Sequence, residues 1–271
     1  MNQKKGKLKK LIVVVLLIAL CLAACTHIYT EKKNEAPKAA YEKVLNEYRK
    51  AKSMGYKGYV ESADEFNYVS EKALTYASAY GAEGFDMETG PDRLFYAYYD
   101  LNGDGIYELL IGATYEGEFF SVEDIFIYEN GEAESVYPGE WKEYKDYSAV
   151  KEKYEAVSEE LSAFEIVVDS PIYVYAGNKI CVELNEIGTV NTVKKSWYKL
   201  NKDGSGLEKT WELAYCFSGD ITTTDIDDIV AYEDGKEITY EDCCEKMRNP
   251  NHNSWPLDKT WWLSPARFKP I

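Results

Sequence analysis

Histidine is almost missing from this chain: its 271 residues hold two, His27 and His252, near opposite ends. Two distant imidazoles cannot build a Ser-His-Asp relay or a histidine-rich metal cluster, so those chemistries are excluded. Both read as solvent-exposed linker residues. Positive charge is also scarce, with 31 Lys and Arg against 47 Asp and Glu and a net charge of −16. A field of that sign repels phosphate backbones and anionic lipid, which excludes a nucleic-acid binder and a protein held to membranes by a basic patch. No internal repeat of roughly 20 to 50 residues is present, so nothing argues for a solenoid. Ser148 and Lys151 stand at Ser-x-x-Lys spacing, but the Lys-Thr-Gly and Ser-Asp-Asn partners of penicillin-interacting enzymes are missing. With 47 acids a carboxylate pair can always be drawn, and without geometry it carries no information. No catalytic residue is assigned.

What is present begins at the N-terminus. Lys4, Lys5, Lys7, Lys9 and Lys10 precede the apolar run Leu11–Ala24, which leads into a small-residue cleavage site. The run falls short of the roughly 20 apolar residues that a membrane span needs. Leu22-Ala23-Ala24-Cys25 resembles the lipobox of bacterial lipoproteins at every position. The resemblance implies that residues 1–24 are a signal peptide and that Cys25 is diacylated on sulfur and becomes the first residue of the mature chain. The protein would then be anchored on the extracytoplasmic face of the cell membrane. Cys21, inside the run, shows that an ordinary signal peptide can also carry cysteine. Cleavage would remove five lysines, leaving 26 basic and 47 acidic residues and a net charge of −21. Attachment would then fall to the acyl chains, which gain about 0.8 kcal/mol per buried CH2.

The polar, unpatterned residues 25–39 read as a tether, and 40–271 as an extracytoplasmic domain, either one compact unit or two small ones divided near 140–165. Tyr41, Val44, Leu45 and Tyr48 fall on one helical face, with Gly55 beyond as a stop signal. A second helix is expected from Ser62, which with Glu65 resembles a capping box, through the stripe Phe66, Val69, Ala73, Leu74 and Ala77 to Gly81. After Pro91 the period switches to two, and Asn130-Gly131 is a hairpin signal. A further helix is expected over 147–164, then strands in 171–188, 194–217 and 228–238, and a short helix opened by Thr239 and Asp242. Helices first, then antiparallel meanders with one helix between them, predict an α+β fold.

One stretch carries chemistry. Counting Asp100 as position 1, Asn102 is 3, Asp104 is 5, Gly105 is 6, Ile106 is 7 and Glu108 is 9. Oxygen-bearing side chains at 1, 3 and 5, a glycine at the sharp bend and a carbonyl at 7 suit a hard divalent cation. The first half matches an EF-hand loop, but position 12 is Ile111 where that loop has a bidentate Glu. Instead "DLNGDGIYELLIG" resembles the strand-linking calcium loops of the FG-GAP type, whose last carboxylate comes at position 9. It is also similar to single copies found in lipoproteins of Gram-positive bacteria. The resemblance covers about 15 residues, occurs once and so does not imply a propeller. It implies Ca2+ held by Asp100, Asn102, Asp104, the Ile106 carbonyl and Glu108. A Gly/Asn/Asp-rich turn that binds nothing is the alternative. The similar "LNKDGSGLEK" has Lys209 at position 9 and one carboxylate, Asp203, and reads as a bare hairpin turn.

Four more cysteines, Cys181, Cys216, Cys243 and Cys244, leave two arrangements open. Either Cys181 and Cys216 each pair with one of the adjacent thiols, or all four are reduced and buried. The 24 Tyr and 6 Trp raise a rival use, stacking on sugars, although alternation of Phe95, Ala97 and Tyr99 with Tyr96 and Tyr98 also describes a half-buried strand. The chain thus reads as a lipid-anchored accessory or binding protein with a structural calcium site and an envelope protein or glycan as partner. A carbohydrate-binding module or a cell-envelope hydrolase is the alternative.

Overall fold

The computed structural model describes residues 2–70, 73–74, 94–115, 119–136, 166–169, 172–175, 177–187, 191–218, 221, 224–248 and 267–271. The fold is α+β, dominated by one antiparallel sheet. Helices α1 (Asn2–Lys33) and α2 (Glu35–Val60) come first. Strands β1 (Leu94–Tyr99), β2 (Glu108–Tyr115), β3 (Phe119–Glu129) and β4 (Glu132–Ser135) follow as a meander. After them come β5 (Ile166–Asp169), β6 (Ile172–Tyr175), β7 (Lys179–Ile187), β8 (Asn191–Leu200) and β9 (Leu207–Phe217). The chain closes with β10 (Val230–Glu233), β11 (Lys236–Ile238), α3 (Tyr240–Arg248) and β12 (Lys269–Pro270).

Tyr41, Val44, Leu45 and Tyr48 are fully buried on α2, as their spacing predicts, and pack on Leu94, Leu109, Ile111, Ala113, Phe126 and Ala133 of β1–β4. Burying side chains of this size stabilises by roughly 1.5–3 kcal/mol each, which outweighs the weak helix propensity of tyrosine. Gly55 has φ 70° and ψ 168° and breaks the helix, which then resumes to Val60. The stretch expected to be a tether is helical, and its Asn34 and Pro37 are buried. Pro37 falls in the first turn of α2, where the N–H that proline lacks would have no partner within the helix. The capping box at Ser62 is not formed. Residues 63–65 make one 3-10 turn, the Ser62 side chain caps nothing, and Phe66 is extended. A competing acceptor explains the difference: Glu47 of α2 takes the Asn67 and Tyr68 N–H groups at 2.8 and 2.9 Å and draws the chain away from helix. Ala73 and Leu74 are buried in the α2 core. The rest of that expected helix, the helix over 147–164, His252 and the tryptophans near the C-terminus lie outside the described residues.

The strand order is β11-β10-β9-β8-β7-β6-β3-β2-β1-β12, with β4 also on β3 and β5 also on β7. Strand β3 meets β6 at a single register pair, Val122 with Ile172. At that junction the sheet turns over, because Leu110, Val122, Ile125 and Ile127 of the first half share a core with Ile172, Val174, Ile180, Val182, Tyr198 and Leu200 of the second. Helix α2 covers the outer face of the first half, and α3 packs on Leu213 and Ala231 of the second. Asn130 (φ 52°) and Gly131 (φ 92°) form the expected tight turn between β3 and β4. Thr239 Oγ1 accepts from the Asp242 N–H at 3.1 Å and caps α3.

Candidate metal centre

Strands β1 and β2 are paired up to Tyr99 and Glu108, so residues 100–107 form the loop between them. The register places Glu108 at the first position of β2, back beside the start of the loop. There its Oε2 accepts from the Leu101 N–H at 2.7 Å. Asp100 turns inward and accepts from two loop amides, Gly103 N–H on Oδ1 at 2.9 Å and Gly105 N–H on Oδ2 at 3.0 Å. Asn102 Oδ1 accepts from the Asp104 N–H at 3.0 Å, and Asp104 Oδ1 from the Ile106 N–H at 2.6 Å. Gly103 and Gly105 adopt φ of 78° and 83°, which residues with a Cβ avoid, and this is the bend that turns the side chains in.

The loop thus gathers Asp100, Asn102, Asp104 and Glu108 from nine consecutive residues. Glu108 is 3 % exposed, and its carboxyl is pushed up to about 8, first by burial and then by the charges of Asp104 and Asp100, against the Leu101 N–H that favours its anion. Lys33 reaches the loop but donates to the Asp104 backbone carbonyl, not to a carboxylate. Among the described residues no three His, Cys, Asp or Glu side chains are already drawn together as a metal cluster; here the carboxylates hold backbone amides. The donors nevertheless fit a hard cation: all are oxygens, and a buried glutamate pressed by two other acids is the environment a divalent charge relieves. If such an ion binds, Asp100, Asn102, Asp104, Glu108 and the Ile106 carbonyl would hold it, and it would supply charge neutralisation.

Two neighbours of the loop carry no signal of that role in the sequence. Asn34, between α1 and α2, bonds the loop backbone at Gly105 and Tyr107, and Tyr41 of α2 donates its hydroxyl to the Tyr107 carbonyl at 2.8 Å. On the opposite side Asn102 Nδ2 donates to the carbonyls of Asn201 and Lys202 in the β8–β9 turn, at 3.0 and 3.4 Å. Tyr41 is visible in the sequence only as a member of a helical stripe, and Asn34 as part of a polar stretch. In the β8–β9 turn Asp203 accepts from the Ser205 N–H at 3.0 Å, the same bond to the amide two residues on that Asn102 and Asp104 make in the β1–β2 loop.

The other candidate residues lie elsewhere. Cys25 falls within α1, and its side chain is outside what the structure describes. Cys181, Cys216, Cys243 and Cys244 are free thiols. Cys181 sits on β7, two strands from β9, the strand on which α3 packs. Cys216 stands opposite Thr192, with Sγ and Oγ1 3.6 Å apart. Because strand side chains alternate, Cys216 points away from the Leu213 and Tyr215 face on which α3 lays Cys243. Burial pushes the Cys243 thiol up to about 11. Tyr173, Tyr175 and Trp197 are packed into the interior, whereas Tyr29 is exposed and Trp211, Tyr215 and Phe217 of β9 are half-buried. No family model, curated protein or solved structure matches the chain.

Proposed function

We propose that this protein is a lipid-anchored, extracytoplasmic accessory or binding protein, attached through Cys25, whose β1–β2 loop holds one structural calcium ion. The observation that supports the calcium reading is that one loop of nine residues carries Asp100, Asn102, Asp104 and buried Glu108, each bonded to the loop's own amides. If those side chains and the Ile106 carbonyl fill most of the shell, few positions stay open for substrate, and the ion stabilises rather than catalyses. The lipobox resemblance supports the anchor, and the acidic balance supports a solvated exported surface. In this reading the partner is an envelope protein or glycan.

Calcium that binds only the folded chain adds roughly 2.7 kcal/mol when its free concentration is 100 times Kd. Removing it with chelator is expected to lower the melting temperature by roughly 5 °C or more, on the order of 2–4 °C per kcal/mol for a chain of this size. Asp104→Ala is expected to lower it similarly and to abolish further sensitivity to chelator. Magnesium is expected to rescue poorly, because it prefers a tighter octahedron. Identical melting of the wild type in chelator and in millimolar calcium refutes the site.

A further inference from the structure

We infer that the β1–β2 loop is a docking point for the α1–α2 junction, joined to it by Asn34, so that the ion in the loop also sets how the N-terminal helix leaves the sheet. The inference rests on the calcium reading of residues 100–108. Asn34 is fully buried, and a buried amide is stable only when its donors and acceptor are all used. Its Nδ2 donates to the Thr30 carbonyl at 2.8 Å and to the Gly105 carbonyl at 3.0 Å, and its Oδ1 accepts from the Tyr107 N–H at 2.6 Å. An asparagine that only capped a helix would bond to that helix. This one places two of its three bonds on the loop, as a neighbouring strand would.

The positions it holds matter more than their number. Gly105 and Tyr107 flank Ile106, whose carbonyl is the one backbone ligand expected for the ion. Any shift of that carbonyl toward a cation moves the groups that Asn34 grips, and through the Thr30 bond it moves the last turn of α1. Tyr41 and Lys33 bind the same segment, at the Tyr107 and Asp104 carbonyls, so three residues of the helical arm read one face of the loop. Such coupling is reciprocal: if the ion tightens the docked arm, the docked arm tightens the ion by the same factor. Eight residues of helix, a rise of roughly 14 Å, separate Asn34 from Cys25, so the state of the loop would be felt close to the anchored end of the chain.

The test is hydrogen exchange on the full chain in detergent, with and without millimolar calcium chloride, read over residues 26–45 and 100–108, together with calorimetric calcium titration. Wild type is expected to bind one ion and to slow exchange in both segments. Asn34→Ala is expected still to bind one ion, roughly tenfold more weakly, and to lose the calcium-dependent protection over 26–45 while keeping it over 100–108. Tyr41→Phe, which removes one hydroxyl and leaves the packing ring, is expected to weaken binding in the same direction and serves if Asn34→Ala does not fold. Protection confined to 100–108 in wild type, or unchanged affinity in a folded Asn34→Ala, overturns the docking inference and leaves the calcium site standing. No calcium binding by wild type overturns both.

Discussion

Glu108 is buried beside Asp100 and Asp104, and this leaves a trace in the pH dependence of stability. Its folded-state carboxyl is raised from 4.5 to about 8, so the neutral form is the one the folded chain prefers. The stabilisation from this group is therefore complete below about pH 4.5 and is lost as pH climbs through about 8. In chelator the melting temperature is expected to fall between about pH 5 and 8, and Glu108→Gln is expected to flatten that fall. Calcium, which requires the carboxylate, is expected to reverse the slope. Parallel curves for wild type and Glu108→Gln in chelator would show that the carboxyl is not held as described. The loop itself is legible in the sequence because it is local: nine consecutive residues hold Asp100, Asn102, Asp104 and Glu108 around the two glycines that bend it. Asn34 is not legible, because an asparagine bonded to a loop 71 residues away leaves no periodicity to read.

Among the elements, those with one apolar face against one partner are readable. Helix α2, the β3–β4 hairpin and α3 lie where spacing, an Asn-Gly turn and a threonine cap put them. The turn after Ser62 departs from its sequence signal because Glu47, on another helix, captures the amides that a capped helix would have used. Strand order is beyond reach, since a period of two gives each strand's faces and not its neighbours. That order bears on the cysteines. With Cys181 two strands away from β9, and Cys216 on the face opposite α3, the denatured and unreduced chain is expected to take one alkyl adduct at each of Cys181, Cys216, Cys243 and Cys244. Peptide mass mapping reads this directly. Protection of any two of them until reductant is added would mean that β9 or α3 sits differently.

For the whole molecule, charge and attachment go together. If residues 1–24 are removed as proposed, a body of net charge −21 gains nothing from an anionic surface, and the acyl chains would have to supply the attachment. Cys25→Ala is therefore expected to shift the protein into the soluble or precursor pool. A variant that still fractionates with membranes at high salt refutes the lipid anchor. The tether expected over residues 25–39 shows where composition misleads: polar residues can still be helical, and even a proline there, Pro37, is buried. A last consequence follows from the contact of Asn102 with Asn201 and Lys202, 99 and 100 residues further along the chain. The loop is written in one short segment, and Asp104 Oδ2 already accepts from Asn102 Nδ2 at 3.2 Å, but the two backbone acceptors of that amide come only with β8 and its turn. At about 5–20 residues per second of synthesis, those carbonyls arrive on the order of 5–20 s after the loop itself. A chain stalled or clipped before Leu200 would carry every residue of the loop and still lack two of the three acceptors of Asn102 Nδ2, so the loop is complete only when the second half of the sheet is.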